Sequence, residues 1–430
     1  MTKTQAMAAD APSALRLDRP LEFDLTGVGP KRDPFPQFAA MRAAGPVIPV
    51  RIPMLGKVWL TTTHAATLAM VKDNALFVQE GRHAGKKGTA GMPWWAPKGL
   101  RLLASNMLQR DEPDHRRLRK LVDRAFARHD VLAMRGRIEQ IADRILDGFE
   151  GRDEVDLANA FARRLPLEVI CDLLGLPDAD RAEFSDWTGR AISIKGPLDL
   201  FLVLGVIDRM TAYLRRQVEA CRRAPRPGLI GELVKAEDDG DQLSEDELLA
   251  MVFLLLIAGF ETTTHLIGDS IIALEQHPDQ KAFLLADPAA RMEHAVEELA
   301  RFTSPVQSTK ARFVSRDAEF FGANLHRGDV IMAFVASANA DPAQFDGPEA
   351  LRLDRFPNPH LVFSSGIHFC LGMQLARVET QSALARLYAR FPRLDIGPPE
   401  RIQWASRLGI RGVKALPTRL RPAASRRLAA

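Results

Sequence analysis

Residues 244–276 constrain the fold more than any other part of the chain. Ser244 and Glu247 have the spacing of a capping box, Leu243 and Leu248 that of a hydrophobic staple, and His277-Pro278 supplies a stop. The spacing predicts one helix of about 32 residues, about 48 Å long at 1.5 Å per residue. Within it residues 248–260 form a thirteen-residue uncharged apolar run. That is short of the roughly 20 residues a bilayer span requires, so the segment reads as a buried helix. A helix apolar on nearly all sides over this distance must be the spine of a core.

Such a spine needs a large domain around it. The chain has 430 residues, 46% of them hydrophobic and 26% charged, which excludes disorder, a collagen repeat and a disulfide scaffold. With 58 Lys+Arg against 54 Asp+Glu the net charge is +4, and without a long basic block this does not point to nucleic acid. Residues 1–20 lack the continuous apolar stretch of a secretory signal, so a cytoplasmic protein with no membrane association is expected. No repeat or Gly/Ser linker interrupts residues 21–417, which predicts one large domain there, with flexible tails at 1–20 and 418–430. Residues 46–50 and 57–61 flank Met54-Leu55-Gly56 and predict a hairpin. Helical periodicity dominates from His115 onward, as in Leu118, Leu121, Val122 and Phe126. A second β-rich stretch spans 311–314, 319–321 and 330–335, with a turn at Gly322-Ala323-Asn324. The expected fold class is mainly α with small β sheets.

The spine carries a polar fault, Ala258-Gly259-Phe260-Glu261-Thr262-Thr263-Thr264, where leucines would make a better helix. A Thr262 hydroxyl bonded to the Ala258 carbonyl would widen the helix locally, as happens at functional sites. A polar patch satisfied by its neighbours is the competing reading.

Of the three cysteines, Cys171 sits in an apolar run and Cys221 beside Arg222 and Arg223, positions suited to packing or surface. Cys370 differs. It lies in Phe363-Ser364-Ser365-Gly366-Ile367-His368-Phe369-Cys370-Leu371-Gly372, at the entrance to a helix over 373–391. The positive end of the helix dipole favours thiolate there. Gly366 permits a turn that a Cβ would block, and Gly372 lets a flat group lie close to the backbone. Zinc would need three or four protein ligands, and His368 alone does not supply them. A single thiolate suits haem iron, whose porphyrin provides four bonds of its own.

On these residues the chain resembles the cytochrome P450 superfamily, specifically its soluble bacterial members. The family's cysteine loop, F-x-x-G-x-H-x-C-x-G-x-x-L-A-R, is matched from Phe363 to Arg377, and its A-G-x-x-T element by Ala258 to Thr262. Phe260 stands where the family often has His. The family's E-x-x-R is matched by Glu298 and Arg301, and the order of the motifs along residues 21–416 is the family's order. The resemblance implies the P450 fold, with the long central helix crossing over haem b (iron protoporphyrin IX) and Cys370 as its axial metal ligand. It implies that His115, Arg119, Arg312 and His368 meet the propionates by charge-assisted bonds, that Phe363, Gly372 and Ala258 lie against the cofactor, and that Glu261 and Thr262 are the catalytic acid–alcohol pair. Glu298 and Arg301 would be structural.

The activity so implied is a monooxygenase that inserts one atom of O2 into a small to medium apolar organic substrate. Electrons would come from NAD(P)H through a separate ferredoxin or flavodoxin and its reductase, since no flavin or nicotinamide motif occurs; a monomer is expected. A peroxide-driven peroxygenase and a non-catalytic haem sensor or carrier are the alternatives, and the acid–alcohol pair speaks against both. The cations Arg116, Arg117, Arg119, Lys120, Arg124 and Arg128 could steer an acidic redox partner. The resemblance also puts segments 80–106, 184–210 and 305–310 around the substrate, together with Leu255. Trp94 and Trp95 in the first suit an apolar ligand, and Lys86, Lys87, Lys98 and Arg101 could greet a carboxylate.

Overall fold

The computed structural model describes residues 20–53, 55–88, 106–127, 132–180, 187, 197–238 and 243–421. Trp94, Trp95, Lys98, Arg101 and Arg128 lie outside these residues. Five helices position the site: α1 (Asp114–Ala127), α2 (Arg164–Leu174), α3 (Glu245–Gln276), α4 (Pro288–Thr303) and α5 (Met373–Arg390).

The expected spine is α3, unbroken over 32 residues. Its start is fixed locally: Ser244 Oγ accepts from the Glu247 N–H at 3.2 Å, and the Glu247 carboxylate accepts from the Ser244 N–H at 3.0 Å. By length and composition this helix could cross a bilayer, yet 67% of its most apolar stretch is buried inside the protein. It packs along α2 and against α4 and α5. Gly259 sets the closest approach to α2, because a Cβ there would lie 2.9 Å from Ile170 Cδ1. Leu256 and Ile267 of α3, Ile170 of α2, Leu299 of α4 and Leu384 of α5 belong to one hydrophobic core. Each such side chain contributes roughly 1.5–3 kcal/mol relative to exposure.

The β part is small. Strands β1 (Val47–Ile52) and β2 (Gly56–Thr61) form the predicted hairpin. With β3 (Phe77–Val78), β4 (Arg312–Val314) and β5 (Val330–Ala333) they build a five-stranded sheet of order β1-β2-β5-β4-β3. The β2–β5 pair is parallel, with Trp59 opposite Ile331. The sheet matters to the site because β4 carries Arg312.

Two expectations about the β part need correction. The turn predicted at Gly322-Ala323-Asn324 falls instead at Phe321 and Gly322, whose φ angles are 50° and 79°, and Ala323 and Asn324 belong to the returning strand Ala323–Leu325. Residues 418–421, expected in the loose tail, lie in a strand, Pro417–Arg421, paired on both sides with Glu154–Asp156 and Arg393–Asp395. Thr418 and Leu420 are buried there, which holds the segment down.

Candidate functional site

The cysteine loop runs over residues 363–372 into α5. Gly366 has a φ of 71°, and a Cβ on it would lie 2.7 Å from the Val71 carbonyl oxygen, so only glycine fits. The Cys370 N–H donates to the Phe363 carbonyl at 2.9 Å, and Arg119 Nη1 donates to the Phe369 carbonyl at 2.7 Å. Together these bonds fold the loop back on itself and tie it to α1. Cys370 borders a cavity of about 260 Å³ whose other wall is α3, with Leu255, Ala258, Gly259 and Thr262. Phe363, His368, Phe369 and Gly372 complete the cysteine side, and Pro305 and Val306 also line the space. A Cβ on Gly372 would meet nothing within 4 Å, so this glycine borders space that no protein atom fills.

The expectation that the helix entrance makes Cys370 a thiolate does not hold for the protein by itself. Burial pushes the thiol above its ordinary range, against a hydrogen bond from the Gly372 N–H and the cations Arg119 and Arg377. A coordinating metal, a larger local charge than a helix terminus, is what removes such a proton. Among the described residues no group of three or more His, Cys, Asp or Glu side chains could hold a metal ion. Cys171 and Cys221 are buried away from the cavity.

The polar fault in α3 has two faces. Thr262 Oγ1 donates to the Ala258 carbonyl at 2.8 Å, Thr263 Oγ1 to Gly259 at 3.2 Å and Thr264 Oγ1 to Phe260 at 2.8 Å. The predicted bond is therefore present, but the predicted widening is not: the segment stays α-helical, packed against α2 where Gly259 meets Ile170. Thr262 faces the cavity. Glu261 does not; it points away and forms an ion pair with Arg407, so the expected acid–alcohol pair is split between two faces of the helix.

Glu261 shares its outer face with His265 and Asp269, at successive intervals of four. Burial, reinforced by Arg407, Arg163 and Lys31, lowers His265 to about 4. Burial raises Asp269 to about 6 against the pull of Arg411 and Lys31. Gly412 makes room for the His265 ring, since a Cβ on it would lie 1.9 Å from Nδ1. The i, i+4, i+8 spacing of Glu261, His265 and Asp269 was the available signal for this column, and no motif marks it.

The four expected anion-binding residues are drawn from three separate parts of the chain. His115 and Arg119 come from α1, Arg312 from β4 and His368 from the cysteine loop. The His115 and His368 rings meet edge to face, 4.5 Å between centroids. His115 Nδ1 and Nε2, His368 Nδ1 and Arg312 Nε are buried without a hydrogen-bond partner. Burial lowers the pKa of His115, that of His368 to about 2 and that of Arg312 to about 10, and the nearby arginines lower both histidines further. Buried polar nitrogens left unpaired, and cations crowded together, are costly unless an anion joins them.

Arg119 divides its donors between Phe369 and Asp123, 3.0 Å away. The cationic run on α1 is broken up in the same way. Arg116 pairs with Glu112 at 3.2 Å and Arg117 with Glu247 at 2.5 Å. The helix therefore does not present one continuous basic patch.

Beneath the loop a different cluster is complete. The Glu298 carboxylate accepts two bonds of 2.7 Å from Arg301, two of 3.1 Å from Arg355, one of 3.0 Å from Asn358 and one of 3.1 Å from the Arg352 N–H. Arg301 also donates to the Asn339 and Pro348 carbonyls at 2.8 and 2.9 Å. Arg355 was not anticipated, because no short-range pattern marks it. Next to this cluster Glu297 receives Arg377 of α5 at 2.6 Å and His360 at 3.2 Å. Glu379 of α5 is also buried and unpartnered, but burial pushes its carboxyl well above the usual range, toward the neutral acid.

Comparison with known proteins agrees with this arrangement. Residues 291–402, which hold the Glu298 cluster and the cysteine loop, match the family model described as Cytochrome P450. The chain is 37% identical over 364 residues to the polyketide biosynthesis cytochrome P450 PksS of Bacillus subtilis, a match covering 84% of this chain and 89% of that protein. It is 38% identical to the vitamin D(3) 25-hydroxylase of Pseudonocardia autotrophica, over 91% of this chain and 94% of the relative. Among solved structures, PksS superposes with a TM-score of 0.84 at 35% identity, covering 93% of this chain and 100% of that one. Myxobacterial CYP267B1, in complex with myristic acid, gives 0.84 at 35% identity, over 92% and 98% of the two chains. With this extent of identity and a shared fold around a cysteine-lined cavity, the chain belongs to the cytochrome P450 superfamily of haem-binding monooxygenases.

Proposed function

We propose that iron protoporphyrin IX fills the cavity between α3 and the cysteine loop, with Cys370 as its one protein ligand. The observation that carries this reading is the set of buried nitrogens without hydrogen-bond partners on His115, His368 and Arg312, of which His368 lines the cavity and His115 packs against its ring. Two carboxylates entering there would satisfy these nitrogens, and the porphyrin's propionates supply two. The space beside Gly372 and the absence, among the described residues, of any group of three or more metal-binding side chains fit a flat group that brings its own in-plane donors. Bound there, such a haem supplies the activation of O2, with the thiolate pushing electron density to the iron.

The chain's own part is to hold and move protons. Thr262 keeps acceptor capacity on Oγ1 while its hydrogen goes to Ala258, so it can hold a water against the cavity. Glu261, itself buried, stands on the outer face paired with Arg407, whose half-exposed side chain meets solvent, and the next residue, Thr262, faces the cavity. The Glu298 cluster ties α4 to the segment before the loop, and none of Glu298, Arg301, Arg355 and Asn358 lines the cavity.

The substrate in this reading is a small to medium apolar organic molecule, held by Leu255, Ala258, Pro305 and Val306. The relatives' names, which carry a polyketide pathway and vitamin D(3), are consistent with that class. Electrons come from a separate ferredoxin-type protein, and one domain, working as a monomer, carries the activity. The test is Thr262→Ala with a ferredoxin and reductase supplied. NAD(P)H consumption should continue while product falls and peroxide rises; unchanged coupling of electrons to product would remove Thr262 from the reaction.

A further inference from the structure

Behind one wall of the cavity stands a buried lysine that neither the haem site nor the proton route uses. Pro305 and Val306 line the cavity. The next residue, Gln307, is buried and does not line it, and its Oε1 accepts a hydrogen bond from Lys31 Nζ. Lys31 comes from the short helix Val28–Arg32, 276 positions away, and is only 1% exposed. A lysine is almost never buried to that extent.

Arg411 joins Lys31 to the same wall. Its Nε donates to the Lys31 carbonyl at 2.8 Å and its Nη1 to Asp269 Oδ2 of α3 at 3.3 Å, while its guanidinium lies over the Trp404 ring, 4.4 Å from the centroid. Along the backbone the Arg411 N–H donates to the Pro305 carbonyl at 2.8 Å, the Gln307 N–H donates to the Gly409 carbonyl at 2.8 Å, and Val306 is bridged to Ile410. Pro305, Val306 and Gln307 therefore form a short ladder with residues 409–411, and Lys31 holds both sides of it, Gln307 by its ammonium and Arg411 by its carbonyl.

A clamp that only joined the short helix to the core would need no ammonium. Burial works against the Lys31 charge and Arg411 opposes it, with Asp269 and Asp24 on the favourable side. Apolar side chains of similar volume would hold the helix as well or better. They would not select one position for Gln307, because apolar packing tolerates a small slide, whereas an ammonium and an amide oxygen are satisfied over a narrow range of separation.

We propose that Lys31 is a positioning residue for the substrate: through Gln307 it fixes how far the Pro305–Val306 wall stands from α3, and so limits the size of the apolar molecule the cavity accepts. This rests on the haem-thiolate reading and deepens it. Lys31 acts through the wall and does not itself line the cavity.

The experiment uses the haem-loaded full chain and three azoles that bind through the iron and are followed by the Soret shift. Imidazole reports the iron alone, and 4-phenylimidazole and clotrimazole add apolar bulk of increasing size. In the wild type both larger azoles should bind more tightly than imidazole. Lys31→Met should move the ratio of their two dissociation constants about 3- to 30-fold in favour of clotrimazole, the range for a residue that acts on a ligand it does not touch, and should leave imidazole unchanged. Gln307→Met cuts the same bond from its other end and should give the same shift, and the double variant should shift no further than either single one. If Lys31→Met does not fold, Gln307→Met carries the measurement. An unchanged ratio overturns the proposal, and so do additive shifts, a parallel change in all three azoles, or a wild type in which added bulk brings no affinity. Lower stability of Lys31→Met in denaturant with an unchanged ratio assigns the lysine to the fold alone and overturns it as well. The carbon monoxide spectrum of each preparation separates these outcomes from failure of the haem-thiolate reading, which would show as absence of the thiolate band in the wild type.

Discussion

Two clusters of buried charge lie on either side of the cysteine loop, and they differ in how completely they are paired. Around Glu298, six hydrogen bonds from Arg301, Arg355, Asn358 and Arg352 leave the carboxylate saturated. Around His368, four nitrogens on three side chains have no hydrogen-bond partner. Both clusters carry the cost of desolvating charge, but only the first recovers it within the protein. A saturated cluster is a structural element and an unsaturated one is a receptor; neither burial nor charge alone makes that distinction.

The largest effect that would break this contrast is on the saturated side. Glu298→Ala leaves Arg301 and Arg355 buried without their acid and should cost roughly 3–5 kcal/mol. Denaturant unfolding should show the loss with and without haem. A loss confined to the haem-bound form would move Glu298 into the receptor.

Acid sensitivity comes next. Burial raises the Glu297 carboxyl, but the bonds from His360 and Arg377 outweigh it and bring it from 4.5 to about 2. A depressed folded value means the stabilisation is complete above about 4.5 and is lost as pH falls toward 2. The size is of order 3 kcal/mol, at about 1.4 kcal/mol per unit. Glu297→Gln should flatten the stability profile in that window; parallel profiles for the two proteins would remove the Glu297 pair from the clamp.

On the unsaturated side, Arg312→Met should weaken haem retention about 10- to 150-fold, the equivalent of roughly 1.5–3 kcal/mol for a hydrogen bond to a charged group. The haem-free protein should lose little stability, since only the 3.3 Å bond from Arg312 to Asn74 is given up while a buried unpaired donor is removed. Haem transfer to apomyoglobin and unfolding of the haem-free protein measure the two quantities. A haem-free variant as destabilised as Glu298→Ala would make both clusters structural.

What the sequence disclosed follows the range of the contacts. The Ser244–Glu247 box and the Glu298–Arg301 pair join residues three apart, and both were legible. The partners that complete them or alter them, Arg355 on Glu298 and Arg407 on Glu261, lie 57 and 146 positions away, beyond any local pattern. The family motif located His115, Arg312 and His368, whereas their missing partners emerge only once three separate elements converge. Single-helix arguments failed where tertiary packing opposed them. The dipole at Cys370 is outweighed by burial, and the threonine back-bonds leave α3 unwidened where it packs against α2.

The most direct test of the central claim is the carbon monoxide difference spectrum of the dithionite-reduced, haem-loaded protein, taken beside Cys370→Ser. The wild type should show the red-shifted thiolate band and the variant should lack it. A variant that keeps the band, or a wild type with an imidazole-like spectrum, would contradict the assignment of the cavity and of Cys370.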